Sequence, residues 1–206
     1  MRRIILAVAA MLVCAVPAEA KWQYFSCESD NFAAQFPETP EVEKIKFSMD
    51  LAKAALSATS YTVPVDNIVY KLVVADYSDR VATSASILME AMANLTEPEY
   101  AAVIAAEESG KGSVSPGKVI ANDVARDGTY GYGRRITMQL SKNGGRSTTI
   151  FFFYGGKLYE QSATVLPANG DYSSPNATRF VESLEKWPWR HPERETPVIT
   201  SIPGCG

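Results

Sequence analysis

The sequence predicts an α+β fold, a largely antiparallel β-sheet covered by helices. Three observations predict it. Alternating apolar and polar residues fall in two clusters, 22–78 and 118–165. Between them, at 84–109, the apolar period lengthens to that of a helix, and a second helical stripe follows the last strand. Two turn signals, NGG at 143–145 and GGK at 155–157, join neighbouring strands tightly enough to make them antiparallel.

The elements follow in order. WQYFS (22–26) is aromatic and strand-prone. FAAQF (32–36) puts Phe32, Ala34 and Phe36 on one side and ends at Pro37, which has no N–H for a ladder. Residues 42–49 alternate, with Ile45, Phe47 and Met49 on one face and Lys44 and Lys46 on the other. LSATSYTV (56–63) is β-branched and stops at Pro64. NIVYKLVVADYS (67–78) sets Ile68, Tyr70, Leu72 and Val74 on one face, and its other face is also mostly apolar. That pattern fits a central strand covered on both sides.

SASILMEAMANL (84–95) spaces Ile87, Met92 and Leu95 as a helix does. TEPEYAAVIAAEE (96–108) opens with Thr96 as N-cap and Glu99 three residues later, a capping box, and Gly110 is its stop. Residues 84–109 are two helices, or one kinked near Asn94. GKGSVSPGK (110–118) is a loop by composition. KVIANDVAR (118–126) and GYGRRITMQLS (131–141) are strands, the second from Arg134. The second of these, with IFFFY (150–154) and LYEQSATV (158–165), gives a three-stranded antiparallel meander over 134–165. IFFFY, apolar on both faces and bracketed by turns, is the centre of a sheet; an aromatic ligand platform is the competing reading. SPNATRFVESLEKW (174–187) is a closing helix, capped by Ser174 or Asn176, with Phe180, Val181 and Leu184 as its stripe. The rest, from 188, is proline-broken and extended.

The first twenty residues have the layout of a cleaved export signal: a cationic MRR, the apolar IILAVAAMLVCAVP, and AEA at 18–20. The expected product is a periplasmic or secreted protein starting at Lys21, with one domain over 21–187, a tail over 188–206 and no stable membrane insertion. Val13 stands before Cys14 where a lipoprotein signal requires a small residue. Loss of Arg2, Arg3 and Glu19 takes the net charge from −3 to −4. An acidic balance does not suit a nucleic-acid binder that neutralises phosphates. Two cysteines remain, Cys27 and Cys205. In an exported protein they read first as an intramolecular disulfide; two free thiols, or an intermolecular bond through Cys205, are the alternatives.

DNFAAQFPETPEVEK resembles the Phe-x-x-x-Phe-Pro-x-x-Pro opening of small exported bacterial proteins of the PsbP-like α/β/α sandwich type. YKLVVADYS, GYGRRITMQL, FFFYGGKLYEQSAT and NATRFVESL follow in the order seen in that family, so the resemblance covers most of 22–186. It implies the sandwich fold and an accessory or binding module more than an enzyme. The fold it implies includes a photosystem II extrinsic subunit and a nuclear-import factor that binds a small GTPase. No catalytic residue carries over to this chain.

The chemistry-bearing residues are few. His191, the only histidine, lies in the tail as RHPER. Without HxxxH, CxxC or DxDxDG spacing the sequence offers no metal site and implies no cofactor. Asp76 and Asp79 in DYSDR suit a solvated strand–helix connection better than a cation site. DGTYGYGRR (127–135) carries the tyrosines Tyr130 and Tyr132 and the arginines Arg134 and Arg135. It precedes a strand, whereas a phosphate cradle opens a helix. It reads either as a glycine-rich strand entry or as a patch for a protein partner, because Tyr and Arg dominate interface energies. WPWR (187–190) adds Trp187 and Trp189, as core cap or as partner contact. The expected function is a non-enzymatic periplasmic module that engages a protein partner. The alternative is a small hydrolase or isomerase using Asp76, Tyr130 and Arg134.

Overall fold

A computed structural model of the chain describes residues 22–47, 56–78, 118–127, 131–140, 145–166, 171–186 and 198–205. The leader, the helices expected over 84–109, Asn143 and Gly144 of the NGG turn, and His191 lie outside these residues. The described strands are β1 (Gln23–Cys27), β2 (Phe32–Phe36), β3 (Glu41–Phe47), β4 (Leu56–Val65), β5 (Ile68–Asp76), β6 (Lys118–Asp127), β7 (Gly131–Gln139), β8 (Arg146–Tyr154), β9 (Lys157–Val165), β10 (Glu185–Lys186) and β11 (Ile199–Ser201). One helix, α1 (Pro175–Val181), stands between β9 and β10.

Seven strands form the main sheet in the order β3-β4-β5-β9-β8-β7-β6, every neighbouring pair antiparallel. The interior positions follow from side-chain pattern. In β5, Ile68, Tyr70, Leu72 and Val74 face one apolar cluster while Val73 and Ala75 face another. In β8, Ile150 and Phe152 face the first cluster and Phe151 the second, so the IFFFY run lies inside the sheet. A strand apolar on both faces is stable only where both faces leave water. The turn between β8 and β9 is Gly155–Gly156, with φ of 57° and 76°, a region that suits glycine. Asp66, at φ 54°, turns β4 into β5.

Proline 64 does not end its strand. The pairing of β3 with β4 begins at Glu41 opposite Thr62, so Pro64 lies beyond the last residue that β3 pairs. Its missing N–H leaves no bond of that ladder unmade. Gly133 is buried in β7, and a Cβ there would overlap the Phe151 carbonyl and the Phe152 ring, so the GYGRR run carries a packing glycine where Phe152 crosses the neighbouring strand.

A second sheet, β10-β2-β1-β11, packs on the first face of the main sheet. Phe25, Cys27, Phe32, Ala34 and Phe36 point from it into the shared core, where Phe32 meets Tyr61 with ring centroids 4.9 Å apart. Helix α1 closes the same face through Phe180, whose ring lies 5.0 Å from Phe36 and 5.3 Å from Tyr70. The expectation of a sheet covered by helices is corrected here. Among the described residues one seven-residue helix provides cover, and the small sheet shares that role. Strands of two and three residues, such as β10 and β11, have no period to reveal them.

Helix α1 also stops sooner than its stripe predicts. Ser174 caps it as expected, accepting from Ala177 N at 3.2 Å. At the other end, the Ser183 hydroxyl donates to Phe180 O at 2.7 Å and accepts from Gln35 N at 2.9 Å. Glu185 and Lys186 then pair with Ala33 and Phe32. Ladder bonds to β2 replace the next helical turn.

Cys27 and Cys205 form a disulfide, Cα–Cα 5.7 Å. The tail is thus tied to the domain: β11 lies parallel to β1, and Ile202 is buried in the core.

Candidate functional site

Two polar constellations stand out, and they differ in kind. The first surrounds the disulfide. Asp30, on the turn between β1 and β2, accepts from the Tyr61 hydroxyl at 2.6 Å and from Lys157 Nζ at 3.0 Å. Its backbone carbonyl accepts from the Tyr159 hydroxyl at 3.0 Å, and Lys157 also donates to Ser29 O at 2.6 Å. Tyr61 further contacts Cys27 Sγ at 3.2 Å. Burial first, and the Asp30 carboxylate second, push the Tyr61 and Tyr159 phenols above the ordinary tyrosine range. These groups satisfy one another and hold the turn onto β4 and β9. That is a latch between sheets.

The second is a cleft of about 560 Å³ between β6–β8 and the C-terminal end of α1. Ile150, Phe152, Val181 and Leu184 give it an apolar floor. Asp123, Arg135 and Glu182 give it a charged rim. Arg135 Nη2 donates to Glu182 Oε1 at 2.7 Å, with side chains 38% and 50% exposed. Asp123 stands opposite Arg135 in the β6–β7 register. Arg135 Nε is shielded from water and bonds to no described group. On β6, Val124 at the cleft is 58% exposed and Ile120 is 45% exposed. An apolar floor inside a charged rim is the anatomy of an interface patch and also of a small-ligand pocket.

Of the residues singled out in the sequence, Arg135 is at this cleft. Arg134 pairs with Phe151, and Arg135 with Ile150. Those partners belong to opposite faces of the sheet, so the two arginines occupy alternate register positions on β7. Tyr132 pairs with Arg126 on β6. Tyr130, Trp187 and Trp189 lie outside the described residues. Asp76 ends β5. Its carboxylate is nudged up by partial burial but brought down on balance by the Ser78 hydroxyl and amide and by Lys157. Ser78 N donates to it at 2.8 Å, a local turn bond at the end of the strand. Strands β9 and β8 separate Asp76 from Arg134, about 14 Å across the sheet at strand spacing.

Sequence reasoning missed Asp123, Glu182 and the cleft floor, because they come from three separate segments. The ESLEK run around Glu182 carried the only hint, a charge beside the helix stripe. No group of described residues is spaced to hold a metal ion. No helix among the described residues is long and apolar enough to cross a membrane.

The chain matches no family model and no curated protein. Among solved structures it is similar to cyanobacterial PsbP (CyanoP) from Synechocystis sp. PCC 6803, at a TM-score of 0.52 and 10% identity, over 87% of this chain and all of that one. A protein of unknown function from Pseudomonas aeruginosa aligns at a TM-score of 0.31 and 13% identity, over 62% of this chain and 85% of that one. The first likeness establishes a PsbP-like fold; at this identity it establishes the fold alone.

Proposed function

We propose that the protein is an exported, non-enzymatic accessory module that binds a protein partner through the Arg135–Glu182 cleft. The observation that carries this reading is the cleft itself: an apolar floor of Ile150, Phe152, Val181 and Leu184 inside a rim of Asp123, Arg135 and Glu182, beside the exposed Val124. The rim carries two acids to one arginine, which favours a partner that inserts an apolar side chain and brings a basic one beside it. Export is supported by the leader pattern of residues 1–20 and by the Cys27–Cys205 disulfide, a bond of oxidising compartments. Replacing Arg135 by alanine breaks an exposed ion pair, so the melting temperature is expected to stay within about 2 °C of the parent. Partner capture from the host envelope is expected to fall about tenfold. Equal loss of stability and capture would make Arg135 a structural residue and end the proposal for this cleft.

A further inference from the structure

A second cavity, of about 360 Å³, opens on the other flank of α1, above the ends of β8 and β9. Arg146, the first residue of β8, stands in its wall. The guanidinium lies over the Tyr172 ring, 4.3 Å from its centroid. Gln139 braces both residues: its Nε2 donates to the Tyr172 hydroxyl at 3.1 Å and to Gly145 O at 3.0 Å, and its Oε1 accepts from Arg146 Nη2 at 3.4 Å. Stacking and bracing together fix the plane of the arginine in advance of any ligand.

The charge so fixed is left without an acid. The other described arginines at the helix have partners: Arg135 pairs with Glu182, and Arg179 donates to Gln35 and lies over Trp22. Arg146 forms no ion pair with a described residue, and among the described residues no Asp or Glu lines the cavity. The nearest acid in sequence to the Tyr172 wall, Asp171, accepts from Ser173 N at 2.8 Å. Arg146 Nε is screened from water and bonds to no described group. A buried donor without a partner is destabilising, and a ligand acceptor would remove that cost.

The rest of the cavity sets the ligand's character. Thr148, Ser174 and Thr178 bring hydroxyls to it, while Ala163, Val165 and Val181 give it an apolar floor. We infer that this cavity is a binding site for a small organic carboxylate, its head on Arg146 and a short apolar body against Val165 and Val181. A carboxylate has two acceptor oxygens at the spacing of the guanidinium fork, and such bonds are charge-assisted. The site shares Val181 with the Arg135 cleft but lies on the other flank of α1, and it does not depend on the role of that cleft.

The test uses the disulfide-bonded protein with hexanoate as probe and hexanol as its uncharged twin, followed by calorimetry and by amide NMR shifts. Saturable one-to-one binding of hexanoate is expected, with shifts centred on Arg146, Thr148 and Val181. Hexanol and the Arg146→Gln variant are each expected to lose at least about tenfold in affinity, and Arg179→Gln to bind as the parent does. Thr178→Trp fills the mouth of the cavity from an exposed position. It is expected to abolish binding, and it serves in place of Arg146→Gln if that variant does not fold. No saturation below roughly 10 mM would overturn the inference, as would equal binding of hexanol, of Arg146→Gln or of Thr178→Trp.

Discussion

At the scale of single residues, the buried tyrosines define how the protein responds to base. Tyr61 and Tyr159 are held neutral above the ordinary range by burial and by Asp30, and burial with Asp66 pushes Tyr70 up to about 12. The unfolded chain releases these protons near pH 10, while the folded chain keeps them. Stability therefore stays whole below that pH and falls as pH rises through the folded values. A titration of absorbance at 295 nm, followed beside circular dichroism, reads this directly. Tyr61, Tyr70 and Tyr159 are expected to ionise only in step with loss of the circular dichroism signal. Phenolate formation by all ten tyrosines before any unfolding would contradict the latch. Asp30 itself was illegible in the sequence. In CESDNF it reads as a turn aspartate, and only the folding of β4 and β9 beneath it supplies Tyr61, Tyr159 and Lys157.

At the scale of elements, the strands were legible because their periods are strong. FAAQF spans 32–36 as expected, and β7, β8 and β9 pair as the meander that NGG and GGK signalled. Boundaries failed where a tertiary bond decided them. Pro64 stays inside β4 because β3 is too short to need its N–H. The closing helix ends at Val181 because Ser183 and β10 turn to β2. Helix α1 is short, and isolated helices of this length are not stable in water. Its anchor is Phe180, fully buried between Phe36 and Tyr70, with its carbonyl held by Gln161 Nε2 at 2.7 Å. Phe180→Ala is expected to destabilise the protein by about 3–5 kcal/mol in urea unfolding. A loss below about 1 kcal/mol would mean that the helix is not an integral wall of the core.

At the scale of the whole molecule, the disulfide closes a loop of 178 residues and fastens β11 beside β1. Cys205→Ser is expected to cost about 2–5 kcal/mol and to raise amide exchange first in β11 and β1. Unchanged exchange in β1 would show that the tail pairing stands without the bond. The cysteine count made this pairing the first reading, whereas the small sheet was only half visible. β1 and β2 carried strand signals, and β10 and β11 carried none. The cleft was less visible still. Arg135 stood out in GYGRR, but its partner Glu182 and its floor come together only when α1 packs on β8.

The central claim is that this cleft is where a protein partner binds. The most direct measurement places a photocrosslinking amino acid at Val124, beside the cleft, and at Lys46 on β3, the opposite edge strand, and irradiates each in the host envelope. If the partner binds this cleft, one discrete adduct is expected from position 124, weakened by Arg135→Ala, and none from position 46. The same adducts from both positions, or none from 124, would contradict it.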